Sequence, residues 1–197
     1  MVETRVRKVQ RKQQNKKGEF YMRIEREQTA ALVIDYQEKL VPVMHKKKQL
    51  IQNSSILLAG LKLLGIPMVV TQQYTKGLGM TIKDITEAAG TEEYIDKISF
   101  TAFDSVEEKI RDKKFVIVCG IEAHICVLQT VIDLVAAGYI PVVVEDCISS
   151  RKPSDRKSAI KRMRDEGAIV TTYESLLFEL LQVAGTDESK RIQRLIK

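Results

Sequence analysis

Short apolar runs alternate along the chain with segments whose apolar residues recur at helical spacing. The runs predict buried strands, and an alternating segment at 94–100 predicts a further strand or extended stretch. The runs cover residues 30–35, 66–71, 115–119, 140–146 and 168–172. The helical patterns cover residues 46–64, 104–113, 123–137, 154–166, 176–183 and 190–196, with a short helix within 81–89.

This order of elements is typical of an α/β fold, because parallel strands need crossover connections that usually contain a helix. Right-handed crossovers place the helices on both faces of the sheet. We therefore expect a three-layer α/β/α architecture with a mainly parallel, Rossmann-like central sheet of about six strands.

Local signals predict where several elements start and stop. Gly65 and Gly138 are expected to end two helices, and Asp104 or Ser105 to cap the start of another. Serine and aspartate capping is likewise expected at the start of the helix at 154–166. The stretch 72–79, with its two glycines, is expected to be a loop.

Chemically useful residues follow the predicted strands. Asp35 ends the first strand, the glutamines at 72–73 follow the second, and the segment 120–126 follows the third of the apolar runs. Ligands of open parallel sheets bind beyond the carboxyl ends of the strands. The sequence therefore predicts a site at this edge of the sheet.

Cys126 lies where a buried strand turns into a helix. Backbone N–H groups and the helix dipole are expected there to lower the pKa of its thiol, as a nucleophile requires. The alternative is an inert buried cysteine, which is the interpretation that suits Cys119 and Cys147 in the core.

Asp35 and Lys97 could support such a nucleophile. An acid at the end of an apolar strand is costly to bury without a partner or a role, although it could also cap the following segment. Lys97 lies beside Ile98 and Phe100, which we expect to be at least partly buried; the alternative is an ordinary solvated lysine. A carboxylate can accept the thiol proton, and an ammonium can hold the negative charges in place.

Metal and nucleotide chemistry has little support in the sequence. The two histidines, His45 and His124, show no metal-ligand spacing, and no phosphate-binding glycine motif is present. His45 is expected at the surface, and His124 on a different helix face from Cys126. We predict no metal and no cofactor.

The charge is concentrated at the N-terminus, where residues 1–20 contribute +5 of the net charge of +6. We predict a basic extension at 1–28 and one domain at 29–197. A nucleic-acid role for the extension is disfavoured because the rest of the chain is nearly neutral. The sequence shows no membrane-length apolar run, secretory signal or disulfide spacing, so a cytoplasmic location is expected, with an organelle left open by the extension.

Three motifs, in order, resemble those of the isochorismatase-like cysteine hydrolases, a superfamily that includes nicotinamidase. They are A-L-V-I-D-Y-Q, D-K-I-S-F-T-A-F and C-G-I-E-A-H-I-C-V, and the resemblance runs from about residue 29 to 181. The stretch T-Q-Q-Y-T-K-G-L-G further resembles the subgroup of isochorismatase domain-containing proteins. The metal-binding histidines of nicotinamidases have no counterpart here.

The resemblance implies an Asp35, Lys97 and Cys126 catalytic triad. It also implies a cis peptide bond between Ile121 and Glu122, with the N–H groups of Glu122 and Cys126 forming an oxyanion hole. Positions next to the motifs add substrate-pocket candidates, with ordinary packing as the alternative for each: Gln37, Gln73, Tyr74, Phe103 and Glu122.

The implied activity is that of a metal-independent cysteine hydrolase that cleaves a small amide-type substrate through a thioester intermediate. The alternative is a non-catalytic binding or scaffold protein on the same fold. The expected partners are a small-molecule substrate and further copies of the chain, as a dimer or larger homo-oligomer.

Overall fold

A six-stranded, all-parallel sheet forms the centre of the computed structural model, which describes residues 13–14 and 20–197. The spatial order of its strands is β5-β4-β3-β6-β7-β8. A two-residue antiparallel pair, β1 (Gln13–Gln14) and β2 (Phe20–Tyr21), precedes it. The sheet strands are β3 (Thr29–Ile34), β4 (Met68–Gln73), β5 (Ile95–Lys97), β6 (Phe115–Ile121), β7 (Ile140–Ser149) and β8 (Ile169–Thr171).

Helices cover both faces of this sheet, so the expected three-layer architecture is confirmed. They are α1 (Lys47–Leu63), α2 (Thr75–Leu78), α3 (Lys83–Ala89), α4 (Phe103–Ile110), α5 (Leu128–Ala136), α6 (Pro153–Asp165), α7 (Tyr173–Leu181) and α8 (Asp187–Ile196). A π-helical turn, Ala123–Val127, joins β6 to α5, and 3-10 turns lie at Arg26–Gln28 and Val41–Val43.

The core is divided by the sheet into two apolar clusters. In β3, Ala31 and Val33 face the cluster formed with α1, α3, α7 and α8, whereas Leu32 and Ile34 face the cluster formed with α4, α5 and α6. Every residue of β3 is buried, as expected for a central strand covered on both faces.

Two local predictions were wrong. Strand β4 continues through Gln73, and α2 follows it, so the stretch 72–79 is not simply a loop. The expected side-chain caps are also absent from α4 and α6, which start after Ala102 and Lys152. Proline at the first position of α6 replaces the expected cap signal, because its fixed φ suits a helix start.

Most of the basic tail at 1–20 lies outside the described residues. Closer to the domain, Ile24 is buried in the core, and its N–H donates to Glu179 at 2.9 Å. Arg26 forms an ion pair with Glu188 at 3.1 Å. The boundary between extension and domain stays a prediction. Within the described part of the chain, none of the helices has the length and apolar character of a membrane span.

Gly120 permits the close approach of β6 to β3 just before the predicted site. Its φ is 138°, and a β-carbon added there would overlap the backbone carbonyl of Ile34. Gly138 also has a positive φ, 87°, but no atom lies within 4 Å of the position where its β-carbon would be.

The two glycines therefore make a matched pair. Gly120→Ala should lower the free energy of unfolding by about 3 kcal/mol or more, because strain and a backbone clash add together. Gly138→Ala should cost about 1 kcal/mol, since only the backbone conformation is strained. Urea unfolding followed by circular dichroism measures both, and equal losses would contradict the role given to the Ile34 contact.

Candidate active site

Asp35 lies immediately after β3, in the left-handed backbone conformation with φ of 55°. Its side chain is fully buried, and it accepts hydrogen bonds from Thr71 Oγ1 and from Lys97 Nζ, each at 2.8 Å. A buried carboxylate without partners would be strongly destabilising. These two donors therefore make the interior position of Asp35 possible.

Lys97 ends β5 and is the cationic partner of Asp35. Its side chain is also fully buried, with a relative exposure of 0%. Besides Asp35, the ammonium donates to Gln73 Oε1 at 2.7 Å and to the backbone carbonyls of Phe100 at 3.1 Å and Ser99 at 3.3 Å. Four oxygens therefore replace the water that a lysine normally keeps around its charge.

The neighbours of Lys97 are not buried as expected. Ile98 is 71% exposed and Phe100 is 54% exposed. The segment after β5 turns the carbonyls of Ser99 and Phe100 towards the ammonium. Solvation of the buried charge by backbone oxygen therefore takes precedence over burial of the two apolar side chains at this sheet edge.

Cys126 lies in the π-helical turn after β6 and is 5% exposed. Burial, followed by the negative charge of the nearby Asp35, raises the pKa of the thiol to about 12, and the charge of Lys97 opposes this rise. The expected lowering of this pKa was therefore wrong. Withdrawal from water and the Asp35 carboxylate outweigh any effect of the helix terminus.

The backbone around Cys126 departs from an ordinary α-helix. The carbonyl of Glu122, which an α-helix would offer to the N–H of Cys126, accepts instead from Ile125 at 3.0 Å and Val127 at 3.3 Å. The preceding peptide bond, between Ile121 and Glu122, is cis. The bond that the resemblance implied to be cis is therefore cis in the structure.

Glu122 contributes a carboxylate next to this turn. Its side chain is largely buried, and Oε2 accepts from the backbone N–H of Arg151 at 3.2 Å and from Arg151 Nε at 3.1 Å. The charge of Glu122 is a smaller cause of the raised pKa of Cys126. Glu122 thus lies within electrostatic reach of the thiol, with its own charge balanced by Arg151.

The other pocket candidates fall into different environments. Gln37 and Gln73 are buried and hydrogen-bonded to one another through side chain and backbone. Tyr74 is half-exposed at the end of β4 with φ of 41°. Phe103 packs edge-on against Tyr139, with ring centroids 6.1 Å apart. Gln73 thus contacts Lys97 directly, whereas Phe103 lies in apolar packing.

Two residues of this region were missed by the sequence reasoning. Thr71, which binds Asp35, stands at the end of an apolar run beside the strand of Asp35, and that position could have indicated it. Arg151 had no comparable signal. Its place depends on a bulge in β7, whose pairing with β6 shifts register between Val118 and Gly120.

Neither histidine is hydrogen-bonded or ion-paired to Asp35, Lys97 or Cys126, although His124 lies in the same turn as Cys126. His124 Nδ1 and Ser150 Oγ are 2.9 Å apart, and His124 Nε2 lies 4.0 Å from Asp155. His45 is exposed. Among the described residues, no group of three or more His, Cys, Asp and Glu side chains is placed to hold a metal ion.

Residues 29–175 match the isochorismatase domain, and the chain belongs to this family of hydrolases. It is 37% identical to the secreted isochorismatase effector Isc1 of Phytophthora sojae over 84% of this chain and 82% of that protein. It is 36% identical to isochorismatase domain-containing protein 2 of Danio rerio, over 84% of this chain and 85% of that protein. The solved structure of MAR1 ribonuclease from Caenorhabditis elegans superposes with a TM-score of 0.84 at 37% identity, covering 89% of this chain and 92% of that one.

The raised pKa of Cys126 predicts how the folded protein reacts with iodoacetamide. Because alkylation requires the thiolate, its rate at Cys126 should rise about tenfold per pH unit from pH 7 to pH 9 without a plateau. Cys119 and Cys147, both fully buried, should be modified more slowly. Mass spectrometry of each cysteine peptide gives the rates, and a plateau at or below about pH 8.5, the range of an ordinary thiol, would contradict this account.

Proposed function

We propose that this protein is a metal-independent cysteine hydrolase that cleaves the C–N bond of a small amide-type substrate. The observation that carries the proposal is the fully buried ion pair of Asp35 and Lys97 within electrostatic reach of the Cys126 thiol. An acid, a cation and a thiol held together in this way suit nucleophilic catalysis with a built-in proton acceptor.

The first half-reaction forms a thioester. Asp35 takes the proton of Cys126, and Sγ attacks the substrate carbonyl carbon, whose oxygen becomes an oxyanion. The N–H groups of Glu122 and Cys126 stabilise that oxyanion. The C–N bond then breaks, the amine leaves with the proton held by Asp35, and an acyl group remains on Cys126.

The second half-reaction restores the enzyme. A water molecule gives a proton to Asp35 as its oxygen attacks the thioester carbonyl. The C–S bond breaks, the carboxylic acid is released, and the proton returns to Sγ. Throughout, Lys97 holds the Asp35 carboxylate in place and offsets the negative charge that develops beside it.

A raised thiol pKa fits this sequence of steps. With a pKa of about 12, Cys126 is a thiol at neutral pH, so a base must take its proton as it attacks. Asp35 is that base in our proposal. The site thereby exposes little thiolate to adventitious oxidants and alkylating agents until a substrate carbonyl is in place.

The proposal also covers the substrate pocket, the domain boundaries, the assembly and the location of the protein. Tyr74, half-exposed at the end of β4, is proposed as a substrate contact, whereas Phe103 and Gln37 act through packing and hydrogen bonds within the protein. We further propose a basic extension at 1–28, a catalytic domain at 29–197, a homo-oligomeric assembly and a cytoplasmic location.

The alternative function is a binding or scaffold protein that keeps the fold without turnover. A separate possibility follows from the relative called MAR1 ribonuclease. RNA phosphodiesters contain no acyl carbonyl, so they cannot form a thioester on Cys126. An assay of RNA cleavage therefore distinguishes a ribonuclease activity from amide hydrolysis through a thioester.

The proposal is tested by measuring amide turnover and by trapping the acyl-enzyme intermediate. A panel of small primary amides and ureido acids is screened for ammonia release, with RNA as a parallel substrate. Cys126→Ser and Asp35→Asn should each reduce amide turnover at least about 1,000-fold, since one removes the nucleophile and the other its base. Quenching during turnover should give an acyl adduct on Cys126 by mass spectrometry.

Cys119→Ala is the control, because Cys119 is a buried cysteine whose thiol donates to the carbonyl of Leu32. It should retain activity within about twofold once circular dichroism shows that it is folded. Amide turnover that survives in Cys126→Ser, or RNA cleavage that requires Cys126 while every amide is inert, would refute the proposed function.

A further inference from the structure

We propose that Gln73 is a positioning residue for Lys97: its neutral amide holds the ammonium against Asp35 without competing for its charge. The inference rests on the proposed function in that it assigns a use to the Lys97 charge. The sequence pattern suggested a substrate contact for Gln73, but its side chain is buried and directed to Lys97.

The amide of Gln73 has a defined orientation. Oε1 accepts from Lys97 Nζ at 2.7 Å, and Nε2 donates to the carbonyl of Ile98 at 2.6 Å. The opposite orientation would place the NH₂ group against the ammonium and an amide oxygen against a carbonyl oxygen. Because both contacts would then be repulsive, the network fixes which end of Gln73 faces Lys97.

The backbone of Gln73 is held in turn by Gln37. Gln37 Oε1 accepts from the N–H of Gln73 at 2.7 Å, and Gln37 Nε2 donates to the carbonyls of Gln73 at 3.0 Å and Gly79 at 2.7 Å. The N–H of Asp35 donates to the carbonyl of Thr71 at 3.2 Å, but the carbonyl of Asp35 accepts from the N–H of Gln37 at 2.7 Å and not from Gln73. The Gln37 side chain takes over both hydrogen bonds at the end of β4.

Gln73 and Lys97 also lie opposite each other in the register of β4 and β5. Thr71, two residues earlier in β4, points to the same side and binds Asp35. One face of β4 thus supplies a partner to each member of the ion pair. The intervening Gln72 points to the other side, where it contacts Thr81 at 2.9 Å and Thr75 at 2.9 Å.

Neutrality is the property that matters at position 73. Lys97 lowers the pKa of the Cys126 thiol, opposing the effect of Asp35. A carboxylate in place of the Gln73 amide would share the ammonium with Asp35 and add negative charge near Sγ. Both changes favour the protonated thiol.

The test uses alkylation of Cys126 by iodoacetamide between about pH 7 and pH 9, which needs no substrate. Gln73→Glu should react at least tenfold more slowly than the wild type at each pH, equivalent to a rise of about one unit in thiol pKa. Gln73→Met, which removes the acceptor without adding charge, should react about three- to tenfold more slowly because Lys97 loses its orientation. Circular dichroism and thermal unfolding accompany each rate.

Gln72→Glu and Gln72→Met are the matched controls, because Gln72 is also a buried glutamine, one position away, and faces the other side of β4. In both control variants, the alkylation rate of Cys126 should lie within about twofold of the wild-type rate. The inference is overturned if Cys126 is alkylated at the same rate in Gln73→Glu as in Gln72→Glu. It is also overturned if Cys126 in folded Gln73→Met is alkylated at the wild-type rate.

If Gln73→Glu fails to fold, the alkylation rate of Cys126 in Gln73→Met alone tests the inference. Loss of folding in both Gln73 variants, with both Gln72 variants folded, would make Gln73 a structural residue and also overturn the inference. Amide turnover is measured separately, as kcat and KM. Absence of turnover in the wild type counts against the proposed function, whereas the alkylation ratios still report on Gln73.

Discussion

The buried ion pair between Asp35 and Lys97 is the interaction on which the rest of the site depends. Removing both charges from water is costly, and geometry must compensate with hydrogen bonds to every charged atom. Thr71 donates one to the carboxylate, and the ammonium donates others to Gln73 and to two backbone carbonyls. The chain after β5 turns the carbonyls of Ser99 and Phe100 towards the ammonium and leaves the apolar side chains of Ile98 and Phe100 exposed.

The sheet brings these groups together because its central strands are parallel and end at one edge. Asp35 follows β3, Gln73 ends β4, Lys97 ends β5, and Cys126 follows β6. Four consecutive strands in the sheet order thus each contribute at least one side chain, and β4 contributes both Thr71 and Gln73. Such a site needs no long loop to hold it, so its rigidity derives from the same backbone ladders that stabilise the core.

Sequence patterns were sufficient for the sheet and for placing Asp35 and Cys126 at or beyond the ends of buried strands, because such strands leave a strong signal. The grouping of Lys97 with them as a catalytic triad was implied by the family resemblance, and the catalytic roles of the three residues stay a proposal. Sequence patterns were insufficient where tertiary contacts determine the exposure or the partner of a side chain. The exposure of Ile98 and the pairing of Glu122 with Arg151 depend on chain paths after β5 and in β7. The pKa of Cys126 was predicted with the wrong sign, since position at a helix start says nothing about depth of burial or the distance to a carboxylate.

We propose that burial, together with the Asp35 carboxylate, keeps Cys126 protonated at rest, and that Asp35 takes the thiol proton only during attack. A pH titration of isotope-labelled Cys126 by NMR, in the wild type and in folded Asp35→Asn, tests it most directly. Since the Asp35 charge is the largest cause of the raised thiol pKa after burial, the substitution should lower that pKa by a unit or more. A thiol pKa that is unchanged or higher in Asp35→Asn would contradict the account.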